Sequence, residues 1–206
     1  MKDNRLKERV IKDIREALIN KNIIADCETP TAEGSAFVDA TNEDLSVLFA
    51  QNFTRNGGTM YYCANEDDIQ KRIQDIQKKY SDATIGCTSQ NLTTFLNHLS
   101  IDNCQTCEPD KHYPLGATLC EALIAWQGSI VISSNQGLGV NTPALPETTI
   151  ILAFTSQVVA DWEKANERLK TYYPEFPDTV MVTNPAGYTY RKGIQKLHLI
   201  LIEDED

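Results

Sequence analysis

"CEALIAWQGSIVISSNQGLGV", residues 120–140, is the stretch on which the reading of the fold turns. Its first part has the Ala, Leu and Glu content of a helix, predicted from about 117 to 125. Gly128 and Ser129 then turn the chain into the short strand "SIVIS", residues 129–133. Beyond it lie Ser133, Ser134, Asn135 and a loop with Gly137 and Gly139. A strand with almost no polar position is covered on both faces, which points to a mainly parallel sheet.

Outward from this stretch, strands and helices alternate. Upstream, "TMYYC" (59–63) reads as a strand, Asn65 caps a helix carrying Ile69, Ile73 and Ile76, and "ATIG" (83–86) is the next strand. Another helix starts near Thr88, followed by a loop through the Cys104 region. Downstream come "TTIILAF" (148–154), a helix over roughly 156–172, "TVMVT" (179–183) and "KLHLILI" (196–202). Near the start, Leu6, Val10, Ile14 and Leu18 recur every four residues among charges, an amphipathic helix. A loop over 21–40 leads to Asn42, which can cap a helix through Leu45, Leu48 and Phe49 that Gly57-Gly58 ends. The expected fold is α/β, a mainly parallel sheet with helices on both faces. Residues 1–56 form an N-terminal helical segment packed on the core, and 57–206 a single globular α/β unit.

Composition narrows the function. The chain has 206 residues, 41% of them hydrophobic, enough to bury a sizeable core. A formal net charge of −10 repels phosphate backbones and anionic lipid, so neither nucleic acid nor a membrane surface is an expected partner. No apolar window approaches the roughly 20 residues of a membrane span, and the N-terminus lacks the apolar region of a secretory signal. A cytoplasmic protein with reduced thiols is expected, its six cysteines scattered rather than arranged as a disulfide framework.

Ligands of parallel sheets sit beyond the carboxyl ends of strands, here Ala64-Asn65, Cys87-Thr88, Ser133 to Gly139 and Thr183-Asn184. Gly137-Leu138-Gly139 fails as a dinucleotide fingerprint because Thr142 takes the third glycine position and Pro143 follows it. Neither a P-loop nor a nucleophile elbow occurs. Ser133, Ser134 and Asn135 offer hydroxyl, amide and backbone N–H groups that could hold a carboxylate or phosphate, or form a plain turn. Glu121, placed on the helix leading to Gly128, could act as base, nucleophile or acceptor, or be a solvated helix glutamate. His98, Cys104, Cys107 and His112 are the one metal-like spacing, with a loop of reduced thiols as the alternative. A redox role for that C-x-x-C is disfavoured, because the pair is not set between a strand and a helix N-terminus. Trp126 reads as core packing and His198 as a structural strand residue.

With these residues in view, the chain resembles the LUD-domain family, of the lactate utilization protein C type. "CEALIAWQGSIVISSNQG" is similar to that family's Glu, Leu-Ile-Ala, Thr-Gly-Ser turn and serine-ended strand, and "LPETTIILAFTSQVV" to its proline-led strand with Gln157, Val158 and Val159. "NGGTMYYCANEDDI" and "KLHLILIED" also fit. The resemblance implies a fold like that of glucosamine-phosphate isomerases, ribose-phosphate isomerases and CoA transferases. It implies a component of an iron–sulfur system oxidising L-lactate to pyruvate, the clusters residing in partner subunits and no cofactor bound by this chain. A small carboxylate ligand would meet Gly128, Ser129, Ser133, Ser134, Asn135, Gly137, Gly139, Thr183, Asn184 and Arg191, with Glu121 as the catalytic candidate.

Departures from the pattern cluster at the site. Gln127 replaces the Thr of the Thr-Gly turn, Trp126 the Glu before it, and Thr149 the histidine opening the next strand. The Arg expected after the glycine loop is missing from "GLGVNTPALP", and with it the bidentate clamp for a carboxylate. The closing segment is the shortened "NPAGYTYRKGIQ", where Thr183, Pro185 and Arg191 are the polar or turn analogues. Two functions follow: a lactate-oxidation subunit binding a small hydroxy- or keto-acid, or a non-catalytic binding or scaffold protein with a degenerate anion pocket. An isomerase or transferase acting on a phosphosugar or CoA ester is a third, resting on fold analogy alone.

Overall fold

The computed structural model describes residues 42–108, 111–136, 146–187 and 196–204. The amphipathic segment of Leu6 to Leu18 lies outside the described residues, as do Gly137, Gly139 and Arg191. The architecture is mixed α/β, with a helix first and a largely parallel central sheet.

Helix α1 (Asn42–Arg55) leads into β1 (Thr59–Cys63). It stops at Gly57, whose φ of 93° suits glycine, and Gly58 donates its N–H back to the Phe53 carbonyl at 3.1 Å. Helix α2 (Glu66–Lys79) begins at Asn65, whose side chain accepts the Asp68 N–H at 2.9 Å, with three acidic residues in its first turn. Then come β2 (Ile85–Cys87), α3 (Gln90–His98) capped by Ser89, and β3 (Cys104–Thr106). These elements, with β4 (Leu115–Leu119), β7 (Thr148–Phe154) and β10 (Lys196–Ile202), build a six-stranded sheet in the order β1-β10-β7-β4-β2-β3. All five of its ladders are parallel.

The strand at the centre of the sequence argument belongs elsewhere. Strands β5 (Ala122–Ile124), β6 (Ser129–Ser133), β8 (Val158–Val159) and β9 (Val180–Thr183) form a second sheet in the order β8-β5-β6-β9. There β6 runs antiparallel to both neighbours. The expected helix over 117–125 is instead two strands, β4 and β5. Apart from the half-buried Leu119 its residues are buried, so the segment has no polar face to turn to water, and tertiary packing overrides the helix propensity of Ala, Leu and Glu. The downstream helix begins later than expected, as α4 (Trp162–Tyr172), because residues 155–159 are used by one 3-10 turn and β8.

Alternation along the central strands sorts side chains into layers. Leu197, Leu199 and Leu201 of β10 and Ile151 and Ala153 of β7 meet Phe49 and Phe53 of α1 and Leu123, Ile130 and Ile132 of the small sheet. On the opposite face, Ile150, Leu152, Ile200 and Ile202 pack under Ile69, Ile73 and Ile76 of α2 and Leu92 and Leu96 of α3. The outer face of the small sheet holds Ala122, Ile124 and Val131 against Ala165 and Leu169 of α4. The sheet is thus covered by α2 and α3 on one face only. Among the described residues the other face carries helix α1, as expected, together with the second sheet, which was not.

Candidate functional site

Glu121 stands where the chain leaves the main sheet for the small one. It is not on a helix. Its N–H bonds the Val131 carbonyl at 2.8 Å and its own carbonyl accepts Arg168 Nε at 3.1 Å, which fixes the residue at both ends. The residue is 8% exposed, and its carboxylate is met by two hydroxyls. Ser133, the last residue of β6, donates to Oε1. Tyr173, just past the end of α4, lies 2.9 Å from Oε1 and 3.1 Å from Oε2. Burial, and then the bonded carboxylate, push the Tyr173 hydroxyl up to about 12, so it keeps its proton and acts as a donor at neutral pH. Ser133 Oγ in turn accepts the Asn135 N–H at 3.1 Å. The Arg168 guanidinium serves two main-chain carbonyls, Glu121 at 3.1 Å and Ser156 at 3.0 Å, and stacks over Tyr172.

Several residues singled out in the sequence therefore come together, though not as an open rim of parallel strands. Ser133 is 0% exposed and its strand is antiparallel to both neighbours, which corrects the expectation of a hydroxyl-tipped segment opening at the end of a parallel sheet. Ser134 is half-buried in a 3-10 turn, its N–H on the Thr179 carbonyl at 2.9 Å. Thr183 ends β9 and Asn184 follows it, its Oδ1 accepting the Gly187 N–H at 2.7 Å.

Gly128 has a packing role that the sequence did not reveal. Its φ is +59°, and a Cβ there would stand 2.4 Å from the backbone nitrogen of Phe53. Ser129 pairs with Ile124 in the adjoining hairpin. Around this turn, Asn52 Nδ2 donates to the carbonyls of Ala125 and Trp126 at 2.9 and 3.0 Å, and Asn56 Nδ2 to that of Gln127 at 2.9 Å. Trp126 is 66% exposed on the turn and fills no core, contrary to expectation.

A second carboxylate is held in the same manner at the carboxyl end of β7. Asp204 accepts Thr155 Oγ1 and the Ser156 N–H, each at 2.6 Å, and Ser156 Oγ at 3.0 Å. This is a hydroxyl-and-amide nest of the kind that binds small anions, filled by the protein's own side chain.

The C-x-x-C pair is divided by the sheet. Cys104 shares a face with Ile85 and Cys87, whereas a Cβ on the intervening Gly86 would point at Cys107 Sγ, 2.8 Å away. His98 and His112 are both exposed. Among the described residues, no three His, Cys, Asp or Glu side chains gather so as to hold a metal ion, so the four residues singled out for that role do not assemble one. His198 is structural, as expected, and stacks on Tyr61. Among the described residues neither of its ring nitrogens finds a hydrogen-bond partner.

Known proteins supply the context for this geometry. Residues 111–186 match the model of the LUD domain. The matched span runs from just before β4 through β9, so it contains Glu121, Ser133, Arg168 and Tyr173 together. None of the curated proteins compared with the chain matches its sequence. The fold is similar to that of a crystal structure of a DUF162-family protein from Deinococcus radiodurans, with a TM-score of 0.63 over 79% of this chain and 99% of the other at 12% identity. Among the described residues no helix is long and apolar enough to cross a membrane.

Tyr173 and Arg168 escaped the sequence reading. Tyr173 lies 52 positions from Glu121, and no local pattern marks a tyrosine after a helix as a carboxylate donor. Only the tertiary packing of α4 on β5 brings it there.

Proposed function

We propose that this LUD-domain chain serves lactate utilisation as a non-catalytic binding or scaffold subunit, its anion pocket degenerate. One observation carries the reading: among the described residues, two clusters of donors suited to a ligand carboxylate already hold carboxylates of the chain itself. Ser133 and Tyr173 are spent on Glu121, and Thr155 and Ser156 on Asp204. A lactate or pyruvate entering beside Glu121 would meet like charge at low dielectric, an unfavourable encounter. Arg168, the cation nearest in role to the missing clamp, is turned to carbonyl oxygens.

Electron transfer belongs to iron–sulfur partner subunits. In support, the closest-spaced cysteines, Cys104 and Cys107, lie on opposite faces of the sheet and do not fit as joint ligands of one cluster. The chain's contribution is then a folded surface for those partners. The test is co-expression with iron–sulfur subunits of a lactate-oxidation system. Stable co-purification of a stoichiometric complex is expected, whereas a lone chain that turns over L-lactate or binds it saturably overturns the reading.

A further inference from the structure

The small sheet, in the order β8-β5-β6-β9, ends in two edges that differ in kind. Strand β8 is 2 residues long, too short to recruit another strand. Strand β9 is the regular run Val180–Thr183, paired with β6 without a bulge and free of charge, proline and left-handed backbone. Among the described residues no strand lies beyond it. Natural sheets blunt a bare edge with Lys, Pro or a bulge, and β9 has none of these.

The ladder fixes which backbone groups of β9 face outward. The Ser134 N–H bonds the Thr179 carbonyl at 2.9 Å, so these two are a hydrogen-bonded pair. Bonded and non-bonded pairs alternate along the register, which turns Met181, opposite Ile132, and Thr183, opposite Ile130, towards β6. Val131, opposite Val182, agrees with that assignment, since it gives its carbonyl to the Glu121 N–H on its other side at 2.8 Å. Val180 and Val182 therefore direct N–H and C=O away from the sheet. Their side chains share the outer face, where Val180 packs with Ala165 and Leu169 of α4 while Val182 is 44% exposed. Phe176, in the approach to the strand, is exposed as well.

We infer that this edge joins two copies of the chain, β9 pairing antiparallel with β9 of the second copy about a twofold axis through Met181. In that register Val180 of each copy lies opposite Val182 of the other, and each such pair exchanges both of its hydrogen bonds. The exposed Val182 gains a β-branched neighbour on its own face. Charge favours the same occupant. Glu175 and Asp178 precede β9, whereas the sequence from Thr179 to Ile202 contains no acidic residue. Antiparallel pairing brings the acids of one copy towards Asn184 and the uncharged exit of the other, so like charges do not face each other. The contact is isologous and consumes the open edge of both copies, leaving only the short β8 at either end of the joined sheet. Association thus stops at a dimer instead of growing into a fibre.

The test is sedimentation equilibrium of the native full chain over a range of concentrations, with far-UV circular dichroism of each variant. A reversible dimer is expected of the parent protein. Val182→Pro deletes an outward N–H at an edge position that tolerates proline, and should give a monomer with an unchanged spectrum. Val182→Lys, which charges the edge, should do the same and serves if the proline disturbs the strand. Met181→Cys sets two thiols at the axis, where a non-bonded pair stands about 4.5 Å apart at Cα, within disulfide reach. Mild oxidation should then cross-link two copies through that position, as read in the digest by mass spectrometry. A parent protein that stays monomeric at its highest soluble concentration, a dimer that survives both Val182 substitutions, or failure of Met181→Cys to cross-link overturns the inference.

Discussion

Tyr173 bonds both carboxylate oxygens of Glu121, at 2.9 and 3.1 Å, across 52 positions of sequence, and thereby ties the end of α4 to the junction between the two sheets. With Ser133 it leaves a buried negative charge satisfied from within. Hydrogen bonds to an ionised group contribute more than neutral ones, so Tyr173→Phe and Ser133→Ala should each lower unfolding free energy by about 2 kcal/mol. Because both serve one carboxylate, their effects should couple by more than about 0.5 kcal/mol in a double-mutant cycle read by urea denaturation. Strict additivity would mean that the two hydroxyls do not share the charge.

Removing the carboxylate instead should open a vacancy that an external anion can fill. Glu121→Ala leaves the Ser133 and Tyr173 donors unpaired, a loss of about 1–3 kcal/mol per buried group. Formate or acetate should raise the Tm of this variant and leave that of the parent protein unchanged. An equal rise in both proteins would place the anion elsewhere.

Gly128 is fixed by the approach of α1. Gly128→Ala combines a left-handed φ of +59° with a Cβ 2.4 Å from the Phe53 backbone nitrogen, and backbone cannot step aside as a side chain can. A loss of about 2 kcal/mol or more is expected by chemical denaturation. A near-neutral result would mean that α1 does not lie against this turn in solution.

His198 gives the stability curve its acid slope. Burial, followed by the Lys79 and Lys196 charges, pushes its pKa down to about 4, whereas in the unfolded chain it titrates near 6.5. The unfolded state therefore binds more protons between those values. The stability from keeping the ring neutral is complete above about pH 6.5 and is lost as pH falls towards 4, by up to about 3 kcal/mol. His198→Leu should flatten the slope in urea titrations between pH 7 and 4. An unchanged slope would assign it to other groups.

Strands β1, β6, β7 and β10 were legible residue for residue, because each is an apolar run closed off by turn residues or charge. The direction of β6 was not legible. A short apolar strand looks the same in a parallel or an antiparallel ladder, and the partner β9 arrives from 47 positions further along, at Val180 opposite Ser133. For the same reason "ATLCEALIA" read as helix: its composition favours one, and only burial of nearly every residue makes it two strands. Glu121 and Ser133 were marked by residue type, but that they would bond each other follows from the β5–β6 hairpin, where Ala122 pairs with Val131. Trp126 went astray because a hairpin turn can leave a large aromatic in water that periodicity would bury.

The central claim is that the chain's own carboxylates fill its anion-binding donors. The most direct measurement is titration calorimetry of the parent protein with L-lactate and with pyruvate at neutral pH. The account predicts no saturable heat from either acid. Saturable binding of either one that Ser133→Ala or Tyr173→Phe abolishes, in variants shown to be folded, would contradict it.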